Sequence, residues 1–291
     1  MGRAVSNQWS MQAVPTMDAE QFALWQNLLE TRTGIVMVES RRPFLENSLF
    51  SRMRQLGLTD YADYLQLLIS GDSRTRLMEW SAVVDLLTVQ ETRFFRHASS
   101  FELVKTFVQQ YAFNAPAGRQ LNAWSVGCST GEEPYSLAMI LDQQLHAGPK
   151  GHQFNVTATD ISLPALYTAR QGDYSAARLA DVDSAFRARY FKPSEAPGMF
   201  RVAPALRDRV AFARINVLEL GDAPMADMDV IFCQNMLIYF RRWRKRDIVG
   251  HLVDRLAPGG LLVLGLGEIT DWQDSRVSRV TFPDTLAFRR K

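Results

Sequence analysis

The chain has 291 residues, 47% hydrophobic and 22% charged, with 33 Lys and Arg against 31 Asp and Glu for a net charge of +2. That is enough chain for one large domain or two smaller ones around a sizeable core, and the near balance of charge argues against a protein held on nucleic acid by phosphate contacts. Its two cysteines, Cys128 and Cys233, lie in apolar runs with no C-x-x-C spacing, so they read as buried thiols and no metal site is expected.

Residues 1–16 are polar and unpatterned and read as a flexible tail, without the apolar core of a signal peptide. No run of eighteen apolar residues occurs, so the expectation is a cytoplasmic protein with no membrane insertion. Helical periodicity then begins. Phe22, Trp25, Leu28 and Leu29 fall on one face, with Asp18 as N-cap and Gln21 three residues later. A second helix runs through Leu45, Leu49, Met53 and Leu56 and stops at Gly57. Tyr61 to Ile69 and Leu77 to Leu87 continue in the same style, which predicts an all-α N-terminal domain over 17–89.

From Leu121 the texture changes. LNAWSVG reads as a buried strand, followed by a glycine turn and a helix from Tyr135 to Leu145. FNVTATD is a second strand ending at Asp160, with a helix from Pro164 to Gln171 behind it. MDVIFCQN is a nearly all-apolar strand; a helix from Ile248 to Leu256, a Pro258-Gly259-Gly260 turn and the strand LLVLG follow. Strands alternating with helices predict a mostly parallel sheet covered on both faces, a doubly wound α/β domain over 90–291. Between Gly172 and Asn216 the pattern breaks, and FRVAP and RVAFARIN suggest a small inserted β subdomain at about 172–215.

The segment WSVGCSTGEEPYS sits where an open α/β sheet binds its ligand, at the carboxyl end of a strand and the start of a helix. Gly127 and Gly131 allow a sharp turn and close approach to a ligand. The dinucleotide fingerprint G-x-G-x-x-G is absent, and Glu132 and Glu133 stand where a pyrophosphate needs the positive helix end. Two carboxylates suit a ligand with hydroxyl and ammonium donors, which S-adenosylmethionine has. Asp160, 29 residues after Gly131 at the end of the next strand, can accept both ribose hydroxyl protons. The bland alternative is that the two glutamates only favour the helix N-terminus.

These residues carry a resemblance. GCSTGEEPYS closely resembles the signature of the chemotaxis receptor methyltransferases, the CheR family. TVQETRFFRHASSFE, ATDISLPALYTARQGDY, FCQNMLIYF and LAPGGLLVLGLGE agree with the same family in the right order, and RMRQLGLTDYADYLQLL matches more loosely. The resemblance implies a small helical N-terminal domain, a Rossmann-like methyltransferase sheet and a β subdomain inserted in it. It implies S-adenosylmethionine as cofactor, held through Gln90, Thr92, Arg96, Gly127, Glu132 or Glu133, Asp160, Asn216, Val217, Gln234 and Asn235. The acceptor it implies is a glutamate on the cytoplasmic helical domain of a transmembrane chemoreceptor, met by a monomer. The family usually has asparagine at Gln90, arginine at Gln234, and G-H-S-E where this chain has Gly265-Leu266-Gly267-Glu268. Some members dock a receptor C-terminal peptide on the inserted subdomain through a longer loop. Here Lys192 to Met199 is shorter and carries Pro193 and Pro197, so no such tether is expected.

Methyl transfer to a carboxylate needs no general base, because a glutamate with an ordinary pKa of about 4.3 is already ionised at neutral pH. The catalytic expectation therefore falls on alignment: Arg96 as a planar two-pronged donor to the acceptor, Tyr239 as a further hydrogen-bond donor. Arg41, Arg42, Arg52 and Arg54 form a candidate basic face for steering an acidic partner. Two rival readings stand beside this: a nucleotide-dependent oxidoreductase, disfavoured by the missing glycine fingerprint, and a cofactor-binding sensor or scaffold without turnover.

Overall fold

The computed structural model describes residues 13–88, 90–148 and 151–291; most of the expected tail, 1–12, lies outside the described residues. The chain forms two compact units, one made of Val36–Leu87 and the chain up to Arg32, the other of Thr33–Ile35 and Thr88–Lys291.

The first unit is helical: α1 (Ala19–Thr33), α2 (Arg42–Leu56), α3 (Tyr61–Ser70) and α4 (Ser73–Leu87). Asp18 and Gln21 form a reciprocal capping box, the Gln21 amide donating to Asp18 Oδ1 at 2.7 Å and the Asp18 amide to Gln21 Oε1 at 3.2 Å. Gly57 ends α2 in the left-handed conformation at φ 72°. Phe22, Trp25, Leu29, Leu45, Leu49 and Met53 pack into one core with Tyr61, Tyr64 and Leu68, as their helical spacing requires. Pro15 and Met17 are tied to this core: the Tyr61 hydroxyl donates to the Pro15 carbonyl at 2.8 Å and the Met17 amide to Glu46 Oε1 at 2.8 Å. The basic face thins out. Arg52 forks onto buried Glu79 through Nε at 2.9 Å and Nη2 at 2.5 Å, and Arg42 pairs with Glu39 and reaches the Met17 carbonyl. Both charges are engaged within the unit.

The second unit opens with α5 (Ala98–Asn114), a helix whose apolar spacing through Phe101, Val104, Val108 and Ala112 the reading above passed over. Next come β1 (Leu121–Val126), α6 (Glu132–Ala147), β2 (Phe154–Asp160), α7 (Leu163–Gln171), β3 (Asp173–Ser175), α8 (Ser184–Tyr190), β4 (Phe191–Pro193) and β5 (Met199–Val202). Then follow α9 (Pro204–Arg207), β6 (Val210–Arg214), β7 (Met228–Cys233), α10 (Arg242–Asp254), β8 (Leu256–Leu264), β9 (Val277–Val280) and β10 (Leu286–Arg290). Seven strands make one sheet in the order β6-β2-β1-β7-β8-β10-β9. The first five run parallel, and β10 is antiparallel to both its neighbours. Alternate residues of each strand enter cores on opposite faces: Ala123 joins α5 and α6 on one side, Trp124 and Val126 join α10 on the other. This is the doubly wound Rossmann-like sheet. No helix of the described residues is long and apolar enough to cross a membrane.

Three details differ from the sequence reading. RVAFARIN, read with the insertion, forms β6 in the main sheet, paired in parallel with β2 from Val156↔Val210 to Asp160↔Arg214. The small sheet is β3-β5-β4 alone. Pro258-Gly259-Gly260 lies within β8, where the register against β7 slips between Met228↔Leu256 and Val230↔Leu261. The preceding helix starts at Arg242, earlier than Ile248, and ends at Asp254.

Candidate functional site

The loop from β1 to α6 is tied down before it reaches any ligand. The amides of Gly127 and Cys128 both donate to the Thr159 carbonyl on β2, at 2.8 and 2.9 Å. Gly127 has φ 76° and Gly131 φ 99°, a region that penalises a side chain. A Cβ at Gly131 would sit 2.7 Å from the Tyr174 hydroxyl and 2.8 Å from Ala169 Cβ, and one at Gly127 would sit 3.2 Å from Met236 Cγ. At Gly131 the missing side chain lets the loop pack against Ala169 of α7 and Tyr174 of the insertion, and at Gly127 against Met236.

The adjacent glutamates part ways. Glu132 is fully buried; Arg178 Nη1 reaches its Oε1 at 2.7 Å and the Thr130 hydroxyl donates to its Oε2 at 2.7 Å. Arg178 also donates to the Thr92 carbonyl at 3.2 Å, so the Glu132–Arg178 pair clips α6, the insertion and the segment at Thr92 together. Glu133 takes the Ser125 hydroxyl at 2.7 Å. Burial pushes its pKa up to about 8, helped by the nearby Glu268 carboxylate and opposed by the Ser125 hydroxyl and by Arg96.

Asp160 closes β2. Its Oδ2 accepts from the Ser129 amide at 2.8 Å and its Oδ1 from the Ser162 amide at 2.9 Å. A carboxylate offers about four acceptor sites, more than the amides of Ser162, Ser129 and Ile161 take up, and burial raises the carboxyl's pKa against the pull of these amides. Gln90 reaches the same loop: the Ser129 hydroxyl donates to its Oε1 and its Nε2 donates to Thr88, both at 2.8 Å. Asn216 caps the 3₁₀ turn after β6, accepting from the Leu218 amide at 3.1 Å, and Val217 packs on the α10-side core. Asn235, just past β7, is exposed at φ 56°, a left-handed backbone that asparagine tolerates better than most residues. Tyr239 closes a 3₁₀ turn, half-buried on the same core.

Gln234 points elsewhere. It is buried, and its Nε2 donates to Ser100 Oγ on α5 at 2.8 Å and to the Leu264 carbonyl at 3.2 Å. It braces α5 against β8. Arg96 is half-buried, its Nη1 on the Glu91 carbonyl at 2.8 Å, close enough to Glu133 to oppose that group's rise in pKa.

Glu268 was not foreseen. It is 4% exposed, and its Oε2 accepts the Gly265 amide at 3.0 Å. Burial raises its pKa while the amides of Gly265, Ile238 and Asn235 lower it. A Cβ on Gly265 would fall 2.2 Å from Glu268 Oε2, which is why LGLGE carries glycine there; that glycine directly after the last residue of β8 was the available signal. The carboxyl ends of β1 and β2 thus carry Glu133 and Asp160, with Arg96 near Glu133 and the Asn235 amide near Glu268; the two carboxylates are acceptors suited to hydroxyl and ammonium donors.

The family profile described as "CheR methyltransferase, SAM binding domain" matches residues 90–284, and the one described as "CheR methyltransferase, all-alpha domain" matches 20–88. The chain is 36% identical over 243 residues to the chemotaxis protein methyltransferase of Escherichia coli strain K12, across 83% of this chain and 81% of that protein. It is 34% identical over 254 residues to chemotaxis protein methyltransferase 1 of Pseudomonas aeruginosa, across 85% and 89%. It is 35% identical over 256 residues to chemotaxis protein methyltransferase Cher2 of Pseudomonas putida, across 87% and 90%.

Proposed function

The chain belongs to the CheR methyltransferase family, and from that premise we propose that it methylates glutamate side chains on the cytoplasmic helical domain of a transmembrane chemoreceptor, using S-adenosylmethionine. The observation that carries this reading is the convergence of Asp160, Glu133 and Arg96 at the carboxyl ends of β1 and β2. When bound, the cofactor supplies a methyl group on a positively charged sulfonium. Asp160 holds the ribose hydroxyls through its remaining lone pairs, Glu133 rather than the fully engaged Glu132 answers the cationic end, and Asn216 and Asn235 border the site. Arg96 orients the acceptor carboxylate and Tyr239 donates to it. No residue need remove a proton, so alignment and exclusion of water are the protein's whole task, and alignment alone is worth about 7–11 kcal/mol of barrier. The test is transfer of labelled methyl groups to receptor-containing membranes. The product should release methanol in mild base, as an ester does and a methylated amine does not; a base-stable product would overturn the carboxylate assignment.

The raised pKa of Glu133 gives a signed pH dependence. In the ligand-free protein its neutral form is favoured up to about 8. The stability this contributes is present below the ordinary value of 4.5 and is lost as pH rises through about 8. A cationic ligand favours the carboxylate, so binding at neutral pH should expel a proton. Calorimetry in two buffers of different ionisation enthalpy should give different apparent enthalpies, and affinity should rise with pH until about 8. Glu133→Gln should abolish both effects; a buffer-independent wild-type enthalpy would remove Glu133 from the cationic end.

The hairpin of the insertion bears on receptor docking. β4 is an edge strand, Pro193 in it has no amide hydrogen, and the Ser194 amide already donates to Met199 at 2.9 Å. Titration with peptides from receptor C-termini should show no saturable low-micromolar binding. Such binding, lost on mutating the hairpin, would show a tether after all.

A further inference from the structure

One surface of the second unit carries a composition that helix stability disfavours. Residues 241–246 read Arg-Arg-Trp-Arg-Lys-Arg, and Arg241 is the N-cap of α10, with no side-chain cap and no acidic residue in the first turn. Cations at the positive end of a helix, and like charges four apart at Arg241 with Lys245 and Arg242 with Arg246, both oppose helix formation. Of these five cations, Arg244 pairs with Asp247 and Arg242 with Asp271, and the run puts five positive charges in six residues of a chain whose net charge is +2. The strip is continuous with the site. Lys245 Nζ donates to the Glu268 carbonyl and Arg246 Nη2 to the Asp271 carbonyl, each at 3.0 Å, which seats the start of α10 against the loop after β8. The amides of Asn235 and Ile238 lie against the Glu268 carboxylate. Along this strip Ile238, Trp243 and Leu266 stand 53%, 57% and 58% exposed.

We infer that this strip docks an acidic helical segment of the methyl-accepting protein, with carboxylates over Arg241–Arg246 and its apolar side on Ile238, Trp243 and Leu266. The inference rests on the carboxylate-methylation reading above. The strip adjoins Asn235 and Tyr239, where the acceptor side chain must arrive, so the segment that offers one glutamate lays its neighbours across the cations. A flat anionic vesicle surface would meet the same charges without delivering a carboxylate to Arg96.

The test uses the full chain and the variant Arg242→Gln/Trp243→Ala/Arg246→Gln, none of which touches the cofactor set. Binding of an alanine-rich helical peptide with glutamates along one face is measured beside its glutamine counterpart and vesicles rich in phosphatidylglycerol. The wild type should bind the glutamate peptide in a salt-sensitive way. The variant should lose on the order of tenfold in that affinity and raise the receptor KM comparably, with kcat and S-adenosylmethionine affinity unchanged. Unchanged peptide affinity and KM, or a loss confined to vesicle binding, would overturn the inference. Absence of methyl transfer by the wild type would instead count against the methylation reading, while the peptide titration still decides the strip.

Discussion

Arg96→Lys is expected to lower turnover roughly a hundredfold while leaving the fold intact, because a small misplacement of a reacting group costs about that much. The backbone that launches Arg96 is held on both sides. Phe94 is buried edge-on against Tyr174 and Phe191, with ring centroids 4.9 and 5.5 Å away. Phe95 has φ 50°, its amide donates to Ser136 Oγ at 3.1 Å, and its ring packs on Phe101 and Phe186. Arg96 itself is lightly committed: one contact to the Glu91 carbonyl and an ion pair at 4.0 Å to a Glu91 carboxylate that is 83% exposed, a pair worth little to stability. A rigid base with a nearly free fork suits a group that must meet a carboxylate in one plane. Lysine keeps the charge and discards the fork. Initial rates on receptor membranes at saturating cofactor, beside thermal melts, make the measurement. A lysine variant near the wild-type rate would show that charge alone suffices and that Arg96 does not orient the acceptor.

Asp160→Asn should weaken S-adenosylmethionine and its demethylated product alike, by roughly tenfold or more, as expected for losing hydrogen bonds to a charged acceptor. Asparagine is nearly isosteric, yet its amide nitrogen would face either the Ser129 or the Ser162 amide, donor against donor. Loop disturbance and ribose loss are therefore mixed in the single variant. A cycle with a cofactor analogue lacking one ribose hydroxyl separates them. Removing the hydroxyl should cost the wild type much affinity and the variant little. Equal losses in both proteins would place the ribose away from Asp160.

Much of this was legible in the chain. Helix faces in the first unit follow from three- and four-residue spacing, the Asp18–Gln21 box from two residue types, and the sheet from apolar strands alternating with helices. GCSTGEEPYS marked the turn from β1 into α6, because a loop's composition records what its backbone must do. These are local properties, fixed by neighbours within a turn or a strand.

Tertiary structure alone decided the rest. Successive residues of a helix point about 100° apart, so Glu132 turns to Arg178 and Glu133 to Ser125, although the two are identical in sequence terms. Gln234 braces α5 against β8, Glu268 comes to lie beside Glu133, and Val210–Arg214 joins the main sheet and not the insertion. Each depends on partners distant in the chain, and strand pairing or a buried ion pair leaves no period in the sequence that names its partner. Local spacing is written in the chain, whereas the partner of each adjacent glutamate is set by packing between distant segments.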